Sequence, residues 1–142
     1  MSISEGQLLR FIPPKLDGGD IGTKHRYMLV TKNDSINNII EMINVSSIKG
    51  KEHKLIYNSN IQINNYYPLP VPTFAKLDTV YKLENFEELS RFIYFDGEKI
   101  DKEEFGRILD EKYKYTCKYN KNNTINFTKK EFLNINILNS KI

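Results

Sequence analysis

The chain has few of the residues that build disulfides and metal centres. Cys117 is the only cysteine among its 142 residues, so an internal disulfide and a cysteine-based metal cluster are both excluded. The two histidines, His25 and His53, are too few for a zinc site unless carboxylates join them. Nothing here indicates an oxidising compartment, and we expect no metal ion or other cofactor.

Long apolar segments are also missing. No run approaches the ~20 apolar residues that a transmembrane helix needs. Residues 1–10 include Glu5 and lack the apolar stretch of a signal peptide. We therefore expect a cytoplasmic protein that has no membrane partner.

The composition that remains is that of a folded globular protein, with 39% hydrophobic and 27% charged residues. A chain of this length buries about two-thirds of its unfolded surface in a single core. We expect one domain over residues 1–142, with a barrel over about 7–96 and a C-terminal helical extension over about 97–142.

Short strand-like segments separated by turns fill most of the chain. The predicted strands are 8–12, 25–31, 38–45 (which a short helix would also fit), 54–57, 61–63, 74–83 and 92–95. Asp101 is predicted to cap a helix that continues through Lys112, and the stretch after the polar linker 120–123 to form a small satellite hairpin or helix. The absence of βαβ alternation predicts a mostly β, α+β fold, either a small barrel or a strongly curved sheet.

Charge is unevenly distributed, although the net charge is only +3. The basic side chains of the first half are Lys24, His25, Arg26, Lys32, Lys49, Lys51, His53 and Lys54. The acidic side chains that gather later are Glu84, Glu87, Glu88, Asp96, Glu98, Asp101, Glu103 and Glu104. A localised basic region favours a polyanionic partner such as RNA, but lysines on solvated strand edges would give the same pattern.

Three short motifs lie beside the predicted strands. Gly19-Asp20-Ile21 precedes Lys24-His25-Arg26, which opens the strand at 25–31. Val45-Ser46-Ser47-Ile48-Lys49-Gly50-Lys51 follows the strand at 38–45, and Leu77-Asp78-Thr79-Val80 lies within the alternating segment 74–83.

The order of these motifs resembles the MazF/PemK/Kid-like toxin superfamily, over roughly residues 19–83. There, a Gly-Asp turn precedes a Lys/His-Arg-Pro stretch, a later strand ends in a Thr/Ser pair, and a further strand helps to close a small SH3-like barrel. The Ser46-Ser47-x-Lys49 run also resembles the Thr/Ser-Ser-x-Lys run of ToxN/AbiQ-type toxins, which are bound by an RNA antitoxin. Tyr27 stands where the superfamily usually has Pro, and Ser46 replaces the commoner Thr.

The resemblance implies a metal-independent endoribonuclease toxin of a toxin–antitoxin or phage-defence system. In such a reaction a base removes the 2′-OH proton, a cation offsets charge on the phosphorane, and an acid protonates the leaving 5′-oxygen. By resemblance, Arg26, Ser46 and Ser47 carry catalytic roles, and Lys49 follows from the ToxN-like run. The products would be a 2′,3′-cyclic phosphate and a 5′-hydroxyl.

Other basic residues near the motifs are predicted to hold the RNA substrate: Lys24, His25, Lys51, His53 and Lys54. Besides single-stranded RNA, the expected partners are a cognate antitoxin, either protein or RNA, and further copies of the chain in a homodimer or an RNA-bridged oligomer.

Two other functions fit the same sequence. One is a non-catalytic SH3-like barrel that binds RNA or a protein partner through the basic loop. An enzyme needs Arg26 and Ser47 to converge on one phosphate, whereas a binding module needs only the charge. The other is a structural or regulatory protein of a mobile element, which would show no RNA affinity beyond general electrostatics.

Overall fold

The computed structural model describes residues 2–16, 22, 24–120 and 122–136, so the Gly19-Asp20-Ile21 motif lies outside the described residues. In these residues one seven-stranded sheet is formed by β1 (Leu8–Phe11), β2 (Arg26–Asp34), β3 (Ile39–Ser47), β4 (Asn60–Ile63), β5 (Thr73–Lys76), β6 (Thr79–Glu84) and β7 (Asn123–Phe127). The α-helices are α1 (Lys102–Tyr119) and α2 (Lys129–Ile135). Short 3₁₀ helices occupy Glu52–Ile56, Glu87–Phe92 and Phe95–Gly97.

Strand β3 lies at the centre of the sheet. Along one edge it pairs antiparallel with β2, and along the other its beginning pairs with β6 and its end with β5. Strand β1 extends the sheet beyond β2, β4 extends it beyond β5, and β7 runs parallel to β6. The pairing among the described residues therefore gives an open, mostly antiparallel sheet whose main path ends at β1 and β4.

Apolar side chains alternate along the strands and fill a core on each face of the sheet. On the first face, Met28, Val30, Ile40 and Met42 pack with Phe132 of α2. On the second face the core comprises, among others, Leu8, Leu29, Ile43, Val45 and Ile108 of α1. Successive residues of a strand point to opposite faces, so one strand supplies both cores.

Helix α1 is held against the edge of β4 by an ion pair. The Glu104 carboxylate accepts hydrogen bonds from the Asn64 backbone N–H and from Nε and Nη2 of Arg107, both at 2.8 Å. Arg107 also donates from Nη2 to the Gln62 carbonyl at 2.7 Å. The hydrogen bonds from Arg107 lower the pKa of Glu104, and the backbone N–H of Asn64 acts in the same direction, while burial opposes both.

We expect Glu104→Ala to lower the free energy of unfolding by about 2 kcal/mol at neutral pH, because a buried, charge-assisted network is lost. The folded-state pKa of Glu104 is depressed, so its contribution is present above the unfolded pKa and disappears as the pH falls through the folded one. The difference in free energy of unfolding between the variant and the wild type, measured by urea unfolding, should therefore be large at pH 7 and much smaller in acid. Glu103→Ala, an exposed neighbour, should change stability by only a few tenths of a kcal/mol. A Glu104→Ala loss no larger than that of Glu103→Ala would show that the pair does not hold the helix.

The predicted fold class, mostly β and α+β with a C-terminal helix, is confirmed. Asp101 caps α1 as predicted, since its side chain accepts a hydrogen bond from the Glu104 N–H at 3.0 Å. Segment 38–45 is strand and not helix. Neither described helix combines the length and the apolar character that a membrane span requires.

Several element predictions are wrong. In segment 54–57, residues 54–56 belong to a 3₁₀ helix and Tyr57 follows it, and 92–95 contributes only a single bridge between Ile93 and Leu9. The segment 74–83 is two strands, because the chain breaks at Leu77 and Asp78 and changes partner along β3. The stretch after residue 123 is no satellite, since β7 joins the sheet and Phe132 is fully buried.

Candidate functional site

A group of polar side chains continues the apolar stripe on the first face of the sheet. Arg26 lies two residues before Met28 on β2, while Asn44 and Ser46 follow Met42 at the same spacing on β3. Tyr27 pairs with Val45, so the register brings Arg26 opposite Ser46 at the end of this ladder. Val45 of β3 also pairs with Ala75 of β5. The antiparallel register therefore puts Lys76 next to Asn44, on the same face as Arg26.

The first cavity at this end of the sheet, which we call the Arg26 cavity, has a volume of about 190 Å³. It is lined by Lys24, His25, Arg26, Tyr27, Asn44, Val45, Ser46, Ser47 and Lys51. Lys51 returns to the strand end through a tight turn, in which its N–H bonds the Ile48 carbonyl at 2.7 Å and Gly50 has a φ of 80°. Its Nζ then donates to the Ser46 Oγ at 2.9 Å, so the ammonium is held over the β3 terminus.

A second cavity, the Lys76 cavity, has a volume of about 290 Å³ and shares Arg26 and Asn44 with the first. The end of β5 contributes Lys76, and the break before β6 contributes Asp78. Lys54 belongs to the 3₁₀ helix at 52–56, and Tyr57 follows that helix directly. The two cavities are therefore neighbours across the ends of β2, β3 and β5, and we refer to them together as the groove.

Arg26 has a feature typical of a binding group that awaits its ligand. Its Nε is fully buried and has no hydrogen-bond partner in the described part of the chain. An unmade hydrogen bond of a buried charged donor costs about 1–3 kcal/mol. Arg26 lines both cavities, and its planar, permanently charged guanidinium matches phosphate geometry.

The cations around the groove repel one another. Burial lowers the pKa of Lys51, and the positive charges of Lys24, Lys54 and Arg26 lower it further. The pKa of Lys76 is also lowered, first by burial and then by Lys54, Arg26 and Lys51, while Asp78 opposes the shift. The groove is thus a region of high positive potential, which an anionic ligand would relieve.

We expect Lys76→Met to raise the free energy of unfolding by about 1 kcal/mol at pH 7, since it removes a partly buried, repelled charge. Because the folded-state pKa of Lys76 is depressed, the folded chain binds fewer protons between that pKa and 10.5. The free energy of unfolding of the wild type should therefore rise with pH through this window, and its deficit relative to Lys76→Met should shrink. Urea unfolding at pH 7 and at pH 10 measures this.

Lys130→Met is the control for this substitution, because Lys130 is an exposed lysine of α2. It should leave stability within about 0.5 kcal/mol. A Lys76→Met variant that is less stable than the wild type at pH 7 would show that the ammonium stabilises the fold.

Six of the nine residues predicted from the sequence line the Arg26 cavity: Lys24, His25, Arg26, Ser46, Ser47 and Lys51. Lys54 lines the Lys76 cavity. Lys49 and His53 are exposed and are not found among the described lining residues of either cavity. Lys49 lies in the turn that carries Lys51 back to Ser46. The catalytic and substrate-binding roles of all nine stay predictions.

Sequence reasoning missed Asn44, Tyr57 and Lys76 as site residues. One signal was available for Asn44, which continues the alternation of Ile40 and Met42 with a polar side chain at a core-facing position. It is only 3% exposed, and its Nδ2 donates to the Tyr27 carbonyl at 3.1 Å. Lys76 became recognisable only through the break between β5 and β6.

Within the described residues, no three His, Cys, Asp or Glu side chains are grouped as metal ligands would be. The groove instead offers ammonium, guanidinium, hydroxyl and amide groups, which bind anions and hydrogen-bonding ligands. No protein-family model matches the chain, and no curated protein is significantly similar to it in sequence.

Proposed function

We propose that this protein is an endoribonuclease toxin that cleaves single-stranded RNA in the Arg26 cavity without a metal ion. The observation that carries the proposal is the buried Arg26 Nε that lacks a partner among the described residues, at the junction of two cavities lined by lysines. RNA has the spaced phosphates that such a groove accommodates. The likeness to the MazF/PemK/Kid-like and ToxN/AbiQ-type toxins in the order of the sequence motifs supports the same reaction.

In the proposed reaction the 2′-oxygen attacks the adjacent phosphorus, the 2′-O–P bond forms, and the P–O5′ bond breaks. Arg26 binds a non-bridging phosphate oxygen, and the Ser47 hydroxyl donates a second hydrogen bond to the phosphate. Lys51 stabilises the charge that develops on the phosphorane. His25 lines the cavity and is the proposed proton carrier, because an imidazole can both accept and donate a proton. The 2′-OH proton is lost and the 5′-oxygen gains one, so the products are a 2′,3′-cyclic phosphate and a 5′-hydroxyl.

We further propose that the seven-stranded sheet is a variant of the SH3-like barrel. The support is that β3 pairs with both β5 and β6 along one edge, as a strand shared between two parts of a small barrel would. A cytoplasmic toxin of this kind requires an antitoxin, and a protein or RNA that covers the groove would serve. A homodimer or an RNA-bridged oligomer is part of the same proposal.

The proposal is tested by incubating purified protein with total RNA in excess EDTA and determining the chemistry of the new ends. Fragments with 2′,3′-cyclic phosphate and 5′-hydroxyl ends are expected. Ser47→Ala should slow their formation about tenfold or more, because one phosphate donor is lost. Ser90→Ala, which removes a hydroxyl from the 3₁₀ helix at 87–92, is the matched control and should cleave as the wild type does. Intact RNA from folded wild-type protein would refute the enzymatic function.

One observation favours the alternative, a non-catalytic RNA-binding module. The Ser46 hydroxyl is already hydrogen-bonded to the Lys51 ammonium, as in a site that holds phosphates by charge alone. Such a module would bind RNA with a steep salt dependence and leave every molecule intact.

A further inference from the structure

The Lys76 cavity carries more chemistry than phosphate binding uses. Its walls combine an aromatic ring, an ammonium, a carboxylate and amide oxygens, and it opens beside Arg26, where the proposed scissile phosphate lies. A cavity of about 290 Å³ at this position is large enough for a nucleobase.

The polar groups of the cavity have defined orientations. Asn60 donates from Nδ2 to the Lys54 carbonyl at 2.9 Å, so its Oδ1 is left as an acceptor. Asn44 donates from Nδ2 to the Tyr27 carbonyl, which leaves its Oδ1 as an acceptor as well. Asp78 accepts one hydrogen bond from the Thr79 hydroxyl at 3.2 Å, and a carboxylate has room for about three more. The cavity thus presents several acceptors and, in Lys76, a cationic donor.

This pattern selects among the four bases. An unpaired guanine presents two adjacent donors, N1–H and the 2-amino group, beside the acceptor O6. Adenine and cytosine each present one amino group among acceptors, and uracil has a single donor between two acceptors. A carboxylate flanked by an ammonium complements guanine best, because both oxygens find donors while the ammonium binds O6.

We propose that the Lys76 cavity is a guanine-binding subsite for the nucleotide next to the scissile phosphate of single-stranded RNA. This inference rests on the proposed function for the placement of the phosphate at Arg26. Asp78 accepts from N1–H and the 2-amino group, Lys76 donates to O6, and the Tyr57 ring, which is 53% exposed, stacks on the base.

Binding of uncleavable RNA tests the subsite separately from cleavage. The probes are 2′-O-methyl hexamers UUNUUU, in which N is each of the four bases, with fluorescence anisotropy as the readout. The guanine hexamer should bind the wild type about 5- to 150-fold more tightly than the others, as one bidentate base contact gives. Equal affinities, or no binding of any hexamer, would overturn the subsite. Guanine preference without cleavage of total RNA would leave the subsite standing and refute the nuclease.

Two variants separate reading the base from stacking on it. Asp78→Asn should remove most of the guanine preference, because an amide cannot accept from both guanine donors. Tyr57→Ala should lower the affinity for all four hexamers alike, by about 5- to 150-fold, because every base can stack on an aromatic ring. Asp110→Asn is the matched control, because Asp110 is an exposed carboxylate of α1 outside the cavity. It should change neither the affinity for the hexamers nor the guanine preference. Retention of the preference in Asp78→Asn would overturn the assignment of this carboxylate.

Two changes of ligand use the wild-type protein alone. Inosine in place of guanine lacks the 2-amino group and should lose a large part of the preference, whereas inosine bound as tightly as guanine would contradict the two-point contact. Guanosine 5′-monophosphate should compete only weakly, because a single nucleotide leaves the other cations of the groove unoccupied. A mononucleotide bound as tightly as the hexamer would make this a site for free guanine nucleotides and overturn its assignment to RNA.

Discussion

Arg26→Ala is expected to slow RNA cleavage by about 100- to 1000-fold, the loss that follows removal of one preorganised donor to a developing oxyanion. Arg26 is the first residue of β2 and lines both cavities, so the strand fixes the position of its guanidinium at the proposed phosphate site. Arg26→Lys should restore only part of the rate, because an ammonium supplies charge without the planar fork. Initial rates on a defined RNA, measured under single-turnover conditions, give the comparison.

Arg91→Ala is the matched control, because Arg91 is an exposed arginine of the 3₁₀ helix at 87–92. It should retain the wild-type rate. Loss of the unsatisfied Nε should leave the urea midpoint of Arg26→Ala unchanged or slightly raised, so a slow reaction cannot be attributed to unfolding. Cleavage by Arg26→Ala within threefold of the wild type would remove Arg26 from the chemistry.

Phe132→Ala is expected to have the largest effect on stability, a loss of about 3–5 kcal/mol. The ring is fully buried and packs edge-on against Phe11 at 5.0 Å, Phe86 at 5.6 Å and Phe92 at 4.9 Å between ring centroids. Its removal leaves a cavity among three aromatic rings that cannot collapse around it. Urea unfolding followed by circular dichroism measures the change.

Tyr113→Ala removes a ring of α1 that is 70% exposed, and it should shift stability by less than about 0.5 kcal/mol. If Phe132→Ala cost no more than this control, α2 would not belong to the cooperative core. The capping box at Thr128 and Glu131, which starts α2, would then stabilise a helix that folds separately from the sheet.

The fold class could be predicted because most strands carry their own signal. In β2 and β3, short apolar runs are separated by turn formers, and tertiary contacts agree with that local pattern because both faces of these strands are buried. The failures occur where tertiary contacts decide. The alternation over 74–83 is regular, yet the Leu77 N–H bonds the Ser59 carbonyl at 2.7 Å, and Leu77 joins the core opposite to that of Tyr81.

The C-terminal stretch was harder to predict because its burial depends on a distant strand. Strand β7 pairs parallel with β6, and neither the pairing nor the partner can be read from the alternation of β7 itself. The Asn136 side chain also bonds the backbone of Ile12, which lies far away in sequence. Polar segments with a few apolar positions become part of a core only when such partners exist.

The groove was predictable in part. Arg26, Ser46 and Ser47 lie at strand ends, and the antiparallel register that joins them follows from the hairpin between β2 and β3. Lys76 ends β5 and Asp78 lies in the break before β6, while Tyr57 follows a 3₁₀ helix where a strand was expected.

The most direct test of phosphate binding at Arg26 is the NMR signal of its side-chain Nε–H, assigned by comparison with Arg26→Lys and followed during titration with the 2′-O-methyl guanine hexamer. Binding of a phosphate oxygen at Nε should move this signal downfield and saturate at the concentration at which anisotropy saturates. An Arg26 signal that stays in place while the hexamer binds would contradict the assignment of Arg26 as the phosphate ligand, and with it the proposed site of cleavage.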